Sequence, residues 1–174
     1  CQTPPSPLSR LMSALGFEIR LADDDSRVDF GTVLYAEDLA NWQIARPNSY
    51  GTSGGTIGPW PADWWRVSEF IHRWHDPMSR LHDQVARLFL EFDLDSPMSG
   101  IPIPCVFVTL DEWAWQRGSI ASSLLQVANE SLVLLAGAER AAQEEHSLRT
   151  CLGNLPPGSM LLHVGVLLSR PGCP

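Results

Sequence analysis

The sequence predicts an α+β fold: a mostly antiparallel sheet built from two hairpins plus a central C-terminal strand, with helices packed on it. Three observations predict it. Segments alternating apolar and polar residues occur in two neighbouring pairs, each joined by turn-forming residues. Stretches with apolar residues three and four apart separate the pairs. A nearly continuous apolar run, Met160 to Leu168, closes the order, and such a run suits a strand covered on both faces. Hairpin, helices, hairpin, helices, strand is an order that stacks helices against a sheet.

Residues 1–10 are a flexible Pro- and Ser-rich start, and Leu8 to Leu15 is expected to be a short helix closed by Gly16. Phe17-Glu18-Ile19-Arg20-Leu21 alternates like a half-buried strand, Asp23-Asp24-Asp25-Ser26 turns the chain, and Val28 to Tyr35 returns. A short helix is expected over Ala36 to Ala45, ended by Arg46-Pro47. Residues 46–61 form a Gly/Pro-rich loop. Asp63 is placed to cap a helix whose apolar side carries Trp64, Trp65, Val67, Phe70, Ile71 and Trp74. Asp76-Pro77 restarts a helix with Met78, Leu81 and Val85.

The period changes near Ala86, and Leu88, Leu90, Phe92 and Leu94 then share one face of a strand. Ser96 to Gly100 turns the chain into the returning strand that ends at Leu110; Pro102 and Pro104 confine its start to an edge or an unpaired stretch. Ser119 to Leu152 has a helical pattern. A single rod of that length would span about 51 Å, against a radius of gyration of about 16 Å for such a domain. The rod is therefore expected to break at Gly137, its second half closing at Gly153.

The chain has 174 residues, 44% hydrophobic and 18% charged, which fits a single α+β domain over 1–174. A domain of that size buries roughly 70% of its unfolded surface and needs no disulfide or metal staple. Its net charge is −8, which disfavours nucleic acid and anionic membrane surfaces as partners. All 12 basic residues are Arg. Without lysine, Schiff-base chemistry and a Walker A phosphate loop are excluded. Arg without Lys, alongside abundant Ala, Leu, Gly and Pro, suggests a high-GC bacterial origin. No apolar run reaches the roughly 18 residues of a membrane helix, and the first residues lack a secretory pattern. Cys1, Cys105, Cys151 and Cys173 are widely spaced; Cys105 and Cys151 are expected to be buried and reduced, and the protein cytoplasmic.

Glu91, Asp93 and Asp95 alternate, so their carboxylates share a strand face, with Asp111 on the returning strand nearby. Such a row suits either Mg²⁺ ligation and acid/base work or a solvated sheet face. His72 and His75 are three apart and could share a helix face with Zn²⁺, but Pro77 separates them from His82. His163, inside an apolar strand, reads as a hydrogen-bonded core histidine. The loop Tyr50 to Gly58 is rich in glycine but lacks the strand–loop–helix context of a phosphate cradle. Asp23 to Asp25 reads as a solvated turn. Gly51-Thr52-Ser53-Gly54-Gly55 in the Tyr50–Gly58 loop fits Gly-x-Ser-x-Gly by letters but lacks the strand–turn–helix context such a nucleophile needs. No catalytic residue, metal site or cofactor is assigned.

The chain has 7 tryptophans, three of them in Trp60 to Trp65. Neighbours on a helix diverge by about 100°, so Trp64 and Trp65 cannot both enter the core. Trp and Arg are favoured interface anchors, and Arg66 follows directly.

Leu88 to Asp93 with Pro102 to Phe107, and Cys151 to Arg170, resemble accessory proteins of bacterial ribosomal-peptide biosynthesis, of the type that makes crocagin-like pyrroloindoline alkaloids. The similarity covers about a third of the chain and brings no catalytic motif. It implies a non-catalytic protein that holds a precursor peptide for partner enzymes. Read together with the residues, it leads us to expect an extended peptide bound by β-augmentation, with Phe17, Ile19, Trp60, Trp64, Trp65 and Arg66 in contact with it. Homo- or hetero-oligomers are compatible with the same surface. The alternative is a metal-dependent enzyme using Glu91, Asp93 and Asp95 with His72 or His75.

Overall fold

The computed structural model describes residues 14–19, 28–36, 62–93, 103–111, 120–156, 159, 161 and 163–168. Strands β1 (Ala14–Ile19) and β2 (Val28–Tyr35) come first, followed by helices α1 (Ala62–His75) and α2 (Arg80–Gln84). Strands β3 (Val85–Asp93) and β4 (Cys105–Leu110) come next, then helices α3 (Ile120–Ala136) and α4 (Ala138–Gly153), and last β5 (His163–Leu167). The fold is α+β. All strands join one antiparallel sheet in the order β1-β2-β3-β4-β5.

That order corrects the expected position of the last strand. β5 pairs with β4 alone among the described residues, so it is an edge strand rather than a central one. Only Val164 and Val166 are buried in β5; His163 and Gly165, which alternate with them, are exposed. The apolar run looks two-sided because glycine counts as apolar while presenting no side chain to bury.

The first hairpin reaches further back than expected. Ala14, Leu15 and Gly16 pair with Val33, Thr32 and Gly31, so the end of the expected helix over Leu8 to Leu15 is strand. Ladder pairing overrides the weak local helix preference there. Residues 8–13, the expected helix from Glu37 to Ala45 and the loop at 46–61 lie outside the described residues.

α1 follows its apolar period. Trp64, Val67, Phe70, Ile71 and Trp74 are buried along one side of it and meet Leu34, Leu88, Leu90 and Phe92 from the sheet in one core. The indole of Trp64 stacks on Phe92, with ring centroids 6.2 Å apart. The next helix does not start at Asp76. Asp76 Oδ1 instead accepts a hydrogen bond from the Met78 amide at 2.9 Å, closing a local turn. Ser79 caps α2, its hydroxyl accepting from the Leu81 amide at 3.2 Å. Met78 is left exposed, and Val85 is the first residue of β3.

At Ala86 the β3–β4 ladder slips: Val85 pairs with Leu110 but Arg87 with Thr109. The extra residue is a bulge. It lets Val85 and Leu88 both face the core, and it turns Arg87 to the opposite face.

The long helical pattern breaks where expected. Gly137 has φ +93° and ψ 159°, a region essentially reserved for glycine. Nothing closer than the Arg66 guanidinium, at 3.5 Å, would meet a Cβ there, so the demand is on the backbone dihedrals alone. Gly137→Ala is expected to cost roughly 1–3 kcal/mol, read as a lower urea midpoint with unchanged slope. The Arg66 guanidinium donates to the Leu135 carbonyl at 3.5 Å. This places a cation on the last turn of α3, where the helix dipole favours one. Cys105 is buried as expected, whereas Cys151 is exposed on α4: the end of that helix has few apolar neighbours to cover it. Among the described residues no helix is long and apolar enough to cross a membrane.

Candidate functional site

Directly paired residues of an antiparallel sheet share a face, so the register assigns both faces of this one. One face carries Leu34, Leu88, Leu90, Phe92, Val106, Val108, Val164 and Val166, all buried in the core with the helices. The other includes two adjacent cross-strand rows. Val33, Phe89, Phe107 and Gly165 form an apolar row. Tyr35, Arg87, Thr109 and His163 form a polar row beside it. Between them lies a depression of about 430 Å³, lined by Val33, Phe89 and Phe107, by Arg87, Thr109 and His163, and by Glu91 on the far side.

Glycines shape its floor. A Cβ on Gly31 would collide with Phe89 Cζ, so the tip of that ring reaches over the bare backbone of β2. A Cβ on Gly165 would lie 3.0 Å from both Cδ1 and Cε1 of Phe107, which covers β5 in the same way. This is the aromatic-over-glycine arrangement that shields strand glycines. The two rings face each other at 5.9 Å between centroids and an angle of 54°, within the favourable range for aromatic pairs.

The polar row is built for donors. Thr109 Oγ1 and His163 Nδ1 are 3.0 Å apart. Arg87 is exposed and makes no ion pair or hydrogen bond among the described residues. Partial burial of the imidazole, reinforced by the Arg87 guanidinium, holds the His163 pKa below its usual value. Near neutral pH the ring is therefore uncharged. In the unfolded chain this imidazole takes up its proton at about pH 6.5, above the native value. Its contribution is thus level above that pH, and stability is lost as pH falls through the unfolded and then the native pKa. Arg87→Gln is expected to raise the His163 pKa without fully restoring it, because desolvation remains. Imidazole proton shifts followed across pH check this; an unmoved midpoint contradicts the assigned cause.

Among the described residues, those expected to contact a peptide are not brought together on one surface. Trp64 is 1% exposed and belongs to the core, so it is no surface anchor; its neighbour Trp65 is 47% exposed. The 100° step between helix neighbours sends one indole into the sheet and the other to solvent. Arg66 is engaged with the end of α3. Phe17 and Ile19 lie on β1, the edge opposite β5, in register with Phe30 and Val28. Trp60 lies outside the described residues, as do the Tyr50–Gly58 loop and the Asp23–Asp25 turn.

His163 keeps its expected hydrogen bond but sits exposed on an edge rather than in the core. Glu91 faces the depression, Asp93 pairs with Asp29 in the ladder, and Asp95 is outside the described residues. His72 and His75 are exposed on α1. Among the described residues no group of three His, Cys, Asp or Glu side chains is placed to hold a metal ion.

Sequence reasoning missed Val33, Arg87, Phe89, Phe107 and Thr109. A signal was present: Arg87, Phe89 and Glu91 alternate on the face opposite Leu88, Leu90 and Phe92, and an aromatic on a solvated face is out of place. Comparisons with protein-family models, with curated proteins and with solved structures find nothing that matches this chain.

Proposed function

We propose that the chain is a non-catalytic peptide-binding module, an accessory protein of bacterial ribosomal-peptide biosynthesis that holds a precursor peptide in extended form. The peptide adds as a strand to the outer edge of β5. One observation carries this reading: of the two edge strands, β1 and β5, it is β5 that borders the depression, through His163. Strand addition needs both parts. Backbone hydrogen bonds from the edge supply affinity, and a pocket for alternate side chains supplies selectivity.

The edge carries few of the usual protections. β5 has no Pro, Lys, Arg, Asp or Glu, and unprotected edges are hazards unless used or covered. The net charge of −8 favours peptides with basic flanks, chiefly by speeding encounter. The resemblance of residues 88–93, 102–107 and 151–170 to accessory proteins of such pathways supports the choice of precursor peptide as ligand.

Calorimetric titration with synthetic peptides tiled across a precursor reading frame encoded beside this chain tests the proposal. Saturable heat from one tile is expected, with amide shifts centred on β5 in a nitrogen-15 spectrum. Silence from every tile at high micromolar concentration, or shifts confined to the helices, sinks it.

A further inference from the structure

We infer that the peptide taken by the β5 edge carries a large apolar residue opposite Gly165 and an acidic residue two positions away, opposite His163. This rests on the peptide-binding reading and adds the partner's chemistry to it. On an added strand, side chains two apart turn to the same face. Those in register with Gly165 and His163 turn toward the depression, because these two residues occupy that face of β5.

The two positions offer opposite chemistries. Gly165 puts no side chain between an added strand and the interior, so the first surface an incoming group meets is the ring of Phe107, lying over the glycine and backed by Phe89. An apolar or aromatic side chain gains both burial and ring contact there. At the His163 position the row offers two donors to a ligand, the imidazole and the Arg87 guanidinium. With the Thr109 hydroxyl on Nδ1, the other ring nitrogen is left for a ligand. Arg87 is charged and without an ion pair among the described residues. A carboxylate complements this set, because charge-assisted bonds to guanidinium are among the strongest available.

The direction of the pattern follows from Glu91. This residue lines the depression on the side away from Arg87. An acid on that side meets like charge, which discriminates against it. The acid therefore belongs on the His163 side of the apolar residue, whichever way the peptide runs.

Selection from a displayed random-peptide library against the full chain is the test. The expected winners share an acid and a large apolar residue separated by one position. A synthetic winner should lose affinity by roughly tenfold or more when its acid becomes the amide, and by a similar factor against Arg87→Gln. Arg87 is exposed, so that variant keeps its fold. Gly165→Val, which fills the gap with a good strand former, should abolish binding. Winners that shift β5 amides but lack the spacing, or that bind Arg87→Gln unchanged, overturn this inference and leave the peptide-binding reading standing. A library that yields no winner overturns both.

Discussion

Trp74→Ala is expected to be the most damaging single change in α1, lowering the unfolding free energy by roughly 3–5 kcal/mol. Two effects combine. The indole is fully buried in the core between helix and sheet, and its removal leaves a cavity that close-packed neighbours fill only in part. Its Nε1–H also donates to the Val85 carbonyl at 2.9 Å, tying the end of α1 to the first residue of β3. Loss of the donor leaves a buried acceptor without its partner, a cost of about 1–3 kcal/mol by itself. Trp74→Phe separates the two, since it keeps most of the volume and none of the bond. The alanine variant should unfold at a much lower urea concentration, with the phenylalanine variant between it and the parent. Equal midpoints for Trp74→Phe and the parent would show that the bond contributes nothing.

Trp64 and Trp65 form the second large effect, as a contrast within one dipeptide. Trp64 is buried and stacks on Phe92, which in turn lies 5.6 Å from Phe30. Trp64→Ala should cost roughly 3–5 kcal/mol. Trp65 is half exposed, and Trp65→Ala should fall within about 0.5 kcal/mol of the parent, as surface changes do. Urea denaturation of both variants, followed by far-ultraviolet circular dichroism, checks this. A comparable loss at both positions would mean that Trp65 is covered by another segment or by a second copy. The outcome also bears on binding. A Trp65 that can be removed without loss of stability becomes available for testing as a contact, whereas Trp64 belongs to the core.

Much of the fold was legible because local periodicity follows from backbone geometry. The face of Leu88, Leu90 and Phe92, the stripe from Trp64 to Trp74 and the break at Gly137 were all readable without coordinates. Each depends on residues two to four positions apart, where the pleat or the helical turn settles which side chains share a side. The divergence of Trp64 and Trp65 was readable for the same reason, though not which of the two would be buried.

The depression was not readable, because it is assembled from four strands. Thr109 and His163 are 54 residues apart and meet only through the β4–β5 ladder. Arg87 joins them because it pairs with Thr109 across the β3–β4 ladder. An indole at Trp64 that reads as an interface anchor becomes core once a sheet is laid against it, and an acidic row loses its unity once only Glu91 is seen to line the cavity.

By itself, then, the order of amino acids determined the type of most elements, the core side of α1 and of β3, and the exclusion of lysine chemistry. Tertiary structure alone decided that β5 lies at an edge and that Phe107 and Phe89 pave glycine backbone beside the polar row that carries Arg87. The physical reason is range. Periodicity is written in near neighbours, whereas strand order and register are set by contacts between distant segments, whose collective burial outweighs any local preference.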